Sequence, residues 1–285
     1  MGLIKLSKVL TPAMEQGYAV GAFNTADFNY TEGLARAAEE SGKPLIMMLP
    51  SYYFDMQDME SFYDFNLDRI KKSTGNIVYH LDHGQSFDIC MKGIHAGCNS
   101  IMFDGSRLPF EENIAITKEI VKIAHACNVE VEAEIGHVAA PEGNPEGSVA
   151  KEEFFTNPDD AVTFAKETGV DALAVAVGTV HGVYRGRPKL DYERLKEIRR
   201  RVDVPLVMHG GSGLPEEDFQ NAIKLGITKV NFFTEMMLKT ITNMYNAIEE
   251  KNGKPRYIDL QQLIVKTVKE CAEEQMEIFG TPPMK

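Results

Sequence analysis

The sequence predicts an α/β protein of the (β/α)8 (TIM) barrel class with extra C-terminal helices. Eight short apolar runs read as buried strands, and helical patterns separate them at spacings of about 25–30 residues, as expected for repeated βα units. The runs fall at residues 19–23, 45–49, 76–81, 100–103, 129–135, 172–177, 206–208 and 229–232. Eight such units close naturally into a barrel. A doubly wound sheet is the alternative, but the sequence lacks the G-x-G-x-x-G turn expected after its first strand.

The segments outside the strands carry the periodicity and end signals of helices. Helices are predicted at residues 3–16, 29–41, 87–96, 110–127, 159–168, 192–201 and 216–225. Asn157 before Pro158 resembles a helix start, and Glu216 and Glu217 place acids in a first turn. Two further helices, at 235–251 and 259–279, exceed what a barrel needs and suit a subunit contact. Without a linker or low-complexity stretch, residues 1–285 are predicted to form one domain.

The charge and cysteine content narrow the class of protein. Lys+Arg 30 against Asp+Glu 42 gives a net charge of −12, which argues against nucleic acid or an anionic membrane as a partner. The four cysteines form no C-x-x-C pair, which indicates a reducing compartment. No apolar run approaches the roughly 20 residues of a membrane span, and no signal peptide pattern is present. We therefore expect a cytoplasmic protein.

Three predicted strands end in a histidine followed by glycine. These histidines are His83, His181 and His209, after the third, sixth and seventh strands. Asp82 precedes the first of them. Neighbouring side chains on an extended backbone point to opposite sides, so Asp82 and His83 can approach one pocket only if the strand bends there. Barrel enzymes keep their chemistry at the C-terminal ends of the strands, so the three histidines are predicted to share one site.

This set of side chains is typical of a catalytic zinc site. Three imidazoles with one open position hold zinc in several enzymes, whereas Mg²⁺ prefers oxygen ligands. Asp104 and Glu134, which end the fourth and fifth strands, bring carboxylates to the same edge. Asp82 is interpreted as a base beside the metal, or alternatively as an orienting partner of a ligand histidine. The remaining histidines, His80, His95, His125 and His137, are interpreted as structural or surface residues.

Two loops are candidates for phosphate binding, and a third is a candidate lid. Residues 210–213 (Gly-Gly-Ser-Gly) and 231–234 (Asn-Phe-Phe-Thr) follow the last two strands, where barrels commonly bind phosphate. An ordinary tight turn is the alternative for the glycines. The long segment 137–154 contains prolines and glycines typical of a lid. Within it, Glu142 is either a mobile carboxylate over the site or a solvated loop residue.

Taken together, these motifs resemble a known enzyme family along nearly the whole chain. The matching segments are 21–24 (Gly-Ala-Phe-Asn), 80–84 (His-Leu-Asp-His-Gly), 103–106 (Phe-Asp-Gly-Ser), 132–136 (Glu-Ala-Glu-Ile-Gly), 178–184 (Gly-Thr-Val-His-Gly-Val-Tyr), 209–213 (His-Gly-Gly-Ser-Gly) and 230–231 (Val-Asn). In this order they are similar to the class II (zinc-dependent) fructose-bisphosphate and tagatose-bisphosphate aldolases.

The resemblance implies a role for each candidate residue. His83, His181 and His209 would hold zinc, and Asp104 and Glu134 would line positions that the metal can visit. Substrate binding would fall to Asn24, Gly182, Gly210, Gly211, Ser212, Asn231 and Thr234. A monovalent cation, Na⁺ or K⁺, would lie near Gly182 and Gly210. Asp82 would exchange the proton of the C4 hydroxyl, and Glu142 the proton at C3. The expected reaction is reversible cleavage of a phosphorylated ketose into dihydroxyacetone phosphate and an aldehyde through a metal-stabilised enediolate.

The chain departs from the family where the aldehyde half would bind. Fructose-bisphosphate aldolases carry an aspartate at the position of Phe233, some have arginine at that of Met237, and the tagatose type has a small residue at 233. With Tyr52 and Tyr53 expected nearby, this predicts that fructose 1,6-bisphosphate is not the best substrate. Arg185, Arg187 and, less directly, Arg107 are candidate anion sites.

Two other functions remain open on sequence grounds. One is a metal-dependent sugar-phosphate epimerase or isomerase on the same barrel. The other is a non-catalytic companion subunit, which the intact set of site residues argues against. The resemblance also implies a homodimer or homotetramer.

Overall fold

Eight parallel strands form a closed barrel in the order β1 to β8. The protein is described by a computed structural model, which covers residues 2–55, 60–139 and 148–284. The strands are β1 (Val20–Asn24), β2 (Leu45–Pro50), β3 (Ile77–Gly84), β4 (Ser100–Phe103), β5 (Glu130–Ile135), β6 (Ala172–Val175), β7 (Leu206–Met208) and β8 (Ile227–Asn231). The predicted (β/α)8 barrel is confirmed, and each predicted strand has its counterpart.

Helices surround the barrel and extend beyond it at the C-terminal end. They are α1 (Ser7–Gln16), α2 (Phe28–Ser41), α3 (Glu60–Lys72), α4 (Phe87–His95), α5 (Phe110–Ala126), α6 (Pro158–Thr168), α7 (Tyr192–Arg201), α8 (Glu216–Lys224), α9 (Thr234–Glu250) and α10 (Tyr257–Ile278). Asn157 caps α6 by accepting from the Asp159 N–H at 2.8 Å, as its sequence signal indicated. Helix α3 adds to the predicted set. No helix among the described residues combines the length and apolar character needed to cross a membrane.

One end of the barrel interior is closed by α1. Leu6, just before this helix, and Leu10 within it are buried in a small cluster with inward-facing strand residues such as Val20, Ile46 and Val207. Such packing excludes water from the N-terminal ends of the strands. The polar residues at the opposite ends are therefore the ones left to bind a substrate, as is usual for this fold.

The last helix packs closely across α2. A side chain at Gly33 would place its Cβ 2.8 Å from Cβ of Val268 on α10, so glycine allows the two helices to cross at short distance. The outer faces of the terminal helices keep large apolar groups in solvent. These exposed residues are Ile241, Tyr245, Tyr257 and Ile258.

Candidate active site and metal centre

Strand β3 bends where Asp82 and His83 leave it. His83 has a φ of 49°, a left-handed conformation that residues other than glycine seldom adopt. The pairing of β3 with β4 also shifts register between Leu81 and Gly84. This irregularity breaks the alternation of side chains along the strand, and both Asp82 and His83 line the same cavity. The bend expected from the sequence is present.

The three histidines at the ends of β3, β6 and β7 converge. The ring centroid of His83 lies 4.9 Å from that of His181 and 4.7 Å from that of His209. The centroids of His181 and His209 are 5.8 Å apart. Each ring offers a nitrogen within 4.8 Å of the others. A second group of possible ligands joins His83 to Asp104 and Glu134 within the same limit. The structure thus brings together all five residues predicted as metal ligands.

Carboxylates fix the orientation of two of these rings. Nδ1 of His83 lies 2.9 Å from Oδ2 of Asp104, and Nε2 of His209 lies 3.0 Å from Oε1 of Glu132. The opposite nitrogens, Nε2 of His83 and Nδ1 of His209, then face each other at 3.0 Å. Metal-binding histidines usually donate their second nitrogen to a carboxylate in this way. The donor set and its orientation therefore fit a zinc ion.

A buried ion pair beneath the histidines was not predicted from the sequence. Nζ of Lys229 on β8 lies 2.7 Å from Oε2 of Glu132 on β5, and neither side chain is exposed. His80, interpreted from sequence as a structural or surface residue, is buried; it contacts the Ser100 hydroxyl at 2.9 Å and lies 3.8 Å from Glu132. The sequence feature that could have indicated this pair is the presence of two opposite charges within apolar strands, since charges are seldom fully buried unless paired.

Asp82 is held by two asparagines at neighbouring strand ends. Asn24 donates to its Oδ2 at 2.9 Å, and Asn231 donates to its Oδ1 at 3.2 Å. Burial opposes ionisation of this carboxyl, but His83 and His209 together with other donors lower its pKa below the usual value. Asp82 is therefore positioned beside the histidines as an ionised carboxylate.

The pKa values of two other carboxyls in the site, Glu134 and Asp104, are shifted in opposite directions. Burial, followed by the charge of Asp104, raises the pKa of Glu134 to about 8. For Asp104, hydrogen bonds from His83 and Ser106 outweigh the opposing effect of burial and hold its pKa well below the usual range. Oε2 of Glu134 has no hydrogen-bond partner among the described residues. A cation placed between these groups would stabilise the ionised form of Glu134.

The predicted phosphate loops are brought together by close backbone contacts. Gly210 has a φ of 67°, and a Cβ there would lie 2.3 Å from the Val180 carbonyl oxygen, so only glycine fits. The Tyr184 hydroxyl donates to the Gly210 carbonyl at 2.7 Å, which joins the loops after β6 and β7. Ser212 accepts from the Phe233 N–H at 3.1 Å, which joins the loops after β7 and β8.

The other predicted substrate residues lie on these same loops. Gly182, with a φ of 80°, directly follows His181, and Gly211 donates its N–H to the Asn231 carbonyl at 3.1 Å. Thr234 is buried at the start of α9. The backbone groups and hydroxyls of these loops suit an anion.

Glu142 lies outside the described residues, but both ends of its segment are anchored beside the site. Ala139 pairs with Val180, and its carbonyl accepts from the His181 N–H at 2.9 Å. Ser148 pairs with Tyr184. The described residues on either side of the Glu142 segment therefore lie along the loop that carries His181.

A cavity of about 440 Å³ opens above the metal centre. Its described lining is Pro50, Ser51, Tyr52, Asp82, His83, Gln85, Ile89, Asp104, Arg107, Leu108, Glu134, His137, Val138 and His181. Tyr52 is there as expected, and His137, interpreted from sequence as a structural or surface residue, lines it too. The side chain of Tyr53 lies outside the described part of the chain.

The residues expected to form an apolar wall do not line the described part of this cavity. Phe233 is buried and its ring packs edge-on to Tyr30 at 6.5 Å, while Met237 packs on the hydrophobic core. Arg185 and Arg187 are likewise absent from the described lining, whereas Arg107 is present. The anion-binding roles of all three candidate arginines stay predictions.

The chain is similar to known proteins along nearly its whole length. The family model described as class-II fructose-bisphosphate aldolase matches residues 4–282. A fructose-bisphosphate aldolase of Staphylococcus aureus (strain Mu50 / ATCC 700699) is 35% identical over 293 residues, covering 99% of this chain and 98% of the relative. The crystal structure of the YdjI aldolase from Escherichia coli K12 superposes with a TM-score of 0.86 at 35% identity, covering 98% of both chains. The fructose-bisphosphate aldolase of Campylobacter jejuni shares the fold, with a TM-score of 0.82 at 20% identity over 99% of this chain and 97% of that one. The chain is thus an aldolase, a lyase that belongs to the class II fructose-bisphosphate aldolase family.

Proposed function

We propose that this aldolase uses zinc to cleave a phosphorylated ketose reversibly into dihydroxyacetone phosphate and an aldehyde. The observation that carries the proposal is the convergence of three imidazoles, two of which, His83 and His181, line one cavity with the Asp82 carboxylate. His83, His181 and His209 would hold the ion, and Asp104 and Glu134 would offer it alternative oxygen ligands. When bound, zinc supplies a Lewis acid for the negative charge that develops on the substrate as the C–C bond breaks.

Asp82 is assigned the proton of the C4 hydroxyl. As this carboxylate takes the proton, the O–H bonding pair forms the second bond of the aldehyde carbonyl. The C3–C4 bonding pair then forms a C2–C3 double bond, and the C2 carbonyl pair moves onto the C2 oxygen. Asn24 and Asn231 hold both carboxylate oxygens, which fixes the direction of transfer. A positioned base of this kind typically contributes about 10²- to 10⁴-fold to the rate.

Glu142 is assigned the proton that C3 receives after cleavage. The support is the anchoring of its segment at Ala139 and Ser148 on the loop that carries His181. In the synthetic direction the same carboxylate would remove a proton from C3 of dihydroxyacetone phosphate.

The phosphate of dihydroxyacetone phosphate is assigned to the loops after β6, β7 and β8. The contributing residues would be Gly182, Gly210, Gly211, Ser212, Asn231 and Thr234. Their support is the set of hydrogen bonds that join the three loops. A monovalent cation, Na⁺ or K⁺, near Gly182 and Gly210 would offset the charge of the phosphate.

We further propose a homodimer or homotetramer. The exposed apolar side chains on α9 and α10 supply a surface that a second copy could cover. Sedimentation of the purified protein tests this directly, and a monomer at micromolar concentration would contradict it.

The function is tested by incubating zinc-loaded protein with ketose 1-phosphates and measuring dihydroxyacetone phosphate through a coupled dehydrogenase. Release of dihydroxyacetone phosphate is expected. Conversion of one ketose phosphate into another without its release would indicate an epimerase or isomerase instead. Substrate binding without any conversion would indicate a non-catalytic subunit.

A further inference from the structure

Arg107 occupies a distinctive place in the active-site cavity. Of the described residues that line this cavity, it is the only arginine or lysine. Its neighbours in the lining include Asp82, Asp104 and Glu134, all of which belong to the metal centre. Arg107 is exposed, whereas Asp82 and Glu134 are buried, so its guanidinium belongs to the solvent side of the cavity.

The guanidinium of Arg107 is available for a ligand. It forms no ion pair with any described residue, although Arg69, Arg194 and Arg201 each bind carboxylates. Arg107 thus lines the same cavity as Asp82, Asp104 and Glu134 without an ion pair to any of them. An anion brought by the substrate would supply the missing counter-charge.

The backbone of Arg107 is fixed close to the metal centre. Ser106 donates from both its N–H and its hydroxyl to Oδ1 of Asp104, at 3.1 and 2.6 Å. The Leu108 N–H donates to the Gly105 carbonyl at 2.9 Å, which closes a turn around Arg107. Three residues span at most about 11 Å, so this turn holds Arg107 near Asp104 and hence near His83.

A second basic group lies beside it. His137 lines the same cavity and contacts the Ser106 hydroxyl at 3.3 Å. Burial, followed by the positive charge of Arg107, lowers the pKa of His137, which agrees with the closeness of the two residues. A neutral imidazole there can donate a hydrogen bond to an anion without adding charge.

We infer that Arg107 forms an anion subsite for the far end of the aldehyde half of the substrate. The inference rests on the proposed function, which places the dihydroxyacetone phosphate half at the metal and the phosphate loops. Beyond Asp82, which handles the C4 hydroxyl, the substrate extends toward solvent and toward Arg107. The preferred substrate is therefore a ketose 1-phosphate whose tail ends in an anionic group, either a carboxylate or a second phosphate. A planar guanidinium binds both groups through paired hydrogen bonds.

The test uses three six-carbon substrates that differ only at C6. Fructose 1-phosphate has a neutral tail, fructose 1,6-bisphosphate has a phosphate, and the C6 carboxylate analogue of fructose 1-phosphate has a carboxylate. For the wild-type zinc enzyme, kcat/KM is expected to be at least about tenfold higher for one of the anionic tails than for the neutral tail. In Arg107→Gln this ratio should fall about 10- to 100-fold, because a charged hydrogen-bonded pair is lost.

Two further variants control the measurement. Arg107→Lys keeps the charge and should retain part of the preference. Arg200→Gln removes an exposed arginine on α7, outside the described lining, and should retain all of it. Raising the salt concentration should weaken the preference of the wild type. An equal loss for all three substrates in Arg107→Gln, or a wild-type enzyme without preference for either anion, would overturn the subsite.

A binding measurement separates this inference from the proposed function. The same substrates are titrated calorimetrically into zinc-loaded Asp82→Asn, with and without Arg107→Gln. If the wild type releases no dihydroxyacetone phosphate from any of them, the proposed function fails. Tighter binding of an anionic tail that depends on Arg107 would still support the subsite, and equal binding of all three tails would contradict it.

Discussion

His83 occupies a backbone conformation that is unfavourable for its residue type. A left-handed φ costs a residue other than glycine of the order of 1 kcal/mol, and it persists only where neighbouring contacts impose it. Here the Ser51 hydroxyl donates to the His83 carbonyl at 2.6 Å and Asp104 holds the imidazole. The benefit is that two consecutive polar residues, Asp82 and His83, line one cavity.

Asp82 should be separable from metal binding. We predict that Asp82→Asn lowers kcat for C–C cleavage by about 10²- to 10⁴-fold while the zinc content stays at the wild-type level. The amide keeps the shape of the side chain but cannot accept the hydroxyl proton. Metal analysis and single-turnover cleavage of the same preparation measure both effects. Loss of zinc together with activity would instead assign Asp82 to the support of a ligand.

Glu142 should act on a different proton. We predict that Glu142→Gln slows exchange of the C3 hydrogen of dihydroxyacetone phosphate with solvent by about 10²-fold or more. NMR in deuterated water follows this exchange without an aldehyde. Glu152→Gln, at an exposed acid outside the described cavity lining, is the matched control. Exchange at the wild-type rate in Glu142→Gln would make this residue an ordinary loop acid.

At the scale of elements, the strand ends were predictable but the interior between them was not. Each His-Gly step and each acid at a strand end is visible in the sequence, because these residues interrupt apolar runs at matching places. The pairing of Glu132 with Lys229 joins β5 to β8 across the barrel, and no local pattern encodes that contact. The position of Arg107 in the cavity lining was not predictable either, because it depends on the conformation of the turn after β4.

The ion pair between β5 and β8 should be important for the stability of the barrel. We predict that Lys229→Met lowers the free energy of unfolding by about 3–5 kcal/mol, because it leaves the Glu132 carboxylate buried without its cation. The double variant Lys229→Met/Glu132→Gln removes that unpaired charge and should recover part of the loss. Urea unfolding of the metal-free proteins measures the difference. Equal stability of Lys229→Met and the wild type would contradict this account of the interior.

At the scale of the whole molecule, the fold class was predictable from the repeated βα pattern. The oligomeric state of the protein and its domain boundaries stay predictions. Eight units of nearly constant length leave few alternatives to a closed barrel. We propose that residues 1–285 form a single domain, in which α10 packs against α2. That fructose 1,6-bisphosphate is not the best substrate stays a prediction, because Phe233, on which it was based, packs against Tyr30 and does not line the described cavity.

The stability of the metal-free protein should depend on pH through Glu134. Its pKa is raised from 4.5 to about 8 in the fold, so between these values the folded state retains a proton that the unfolded state has lost. The stabilisation due to this proton is complete below about pH 4.5 and is lost as the pH rises to about 8, at up to about 1.4 kcal/mol per pH unit. Comparing urea unfolding of Glu134→Gln with the wild type across this range isolates the effect. A pH-independent difference between the two proteins would contradict the assignment.

Metal dependence tests the central claim most directly. The purified enzyme is assayed for dihydroxyacetone phosphate release and for metal content before chelation, after chelation and after zinc is restored, with His181→Ala as the variant lacking one ligand. We expect about one zinc per chain in active enzyme, loss of activity on chelation and recovery with zinc. His181→Ala should stay folded by circular dichroism but bind zinc weakly and release no dihydroxyacetone phosphate. Full activity in wild-type enzyme shown to be free of divalent metal would contradict the account.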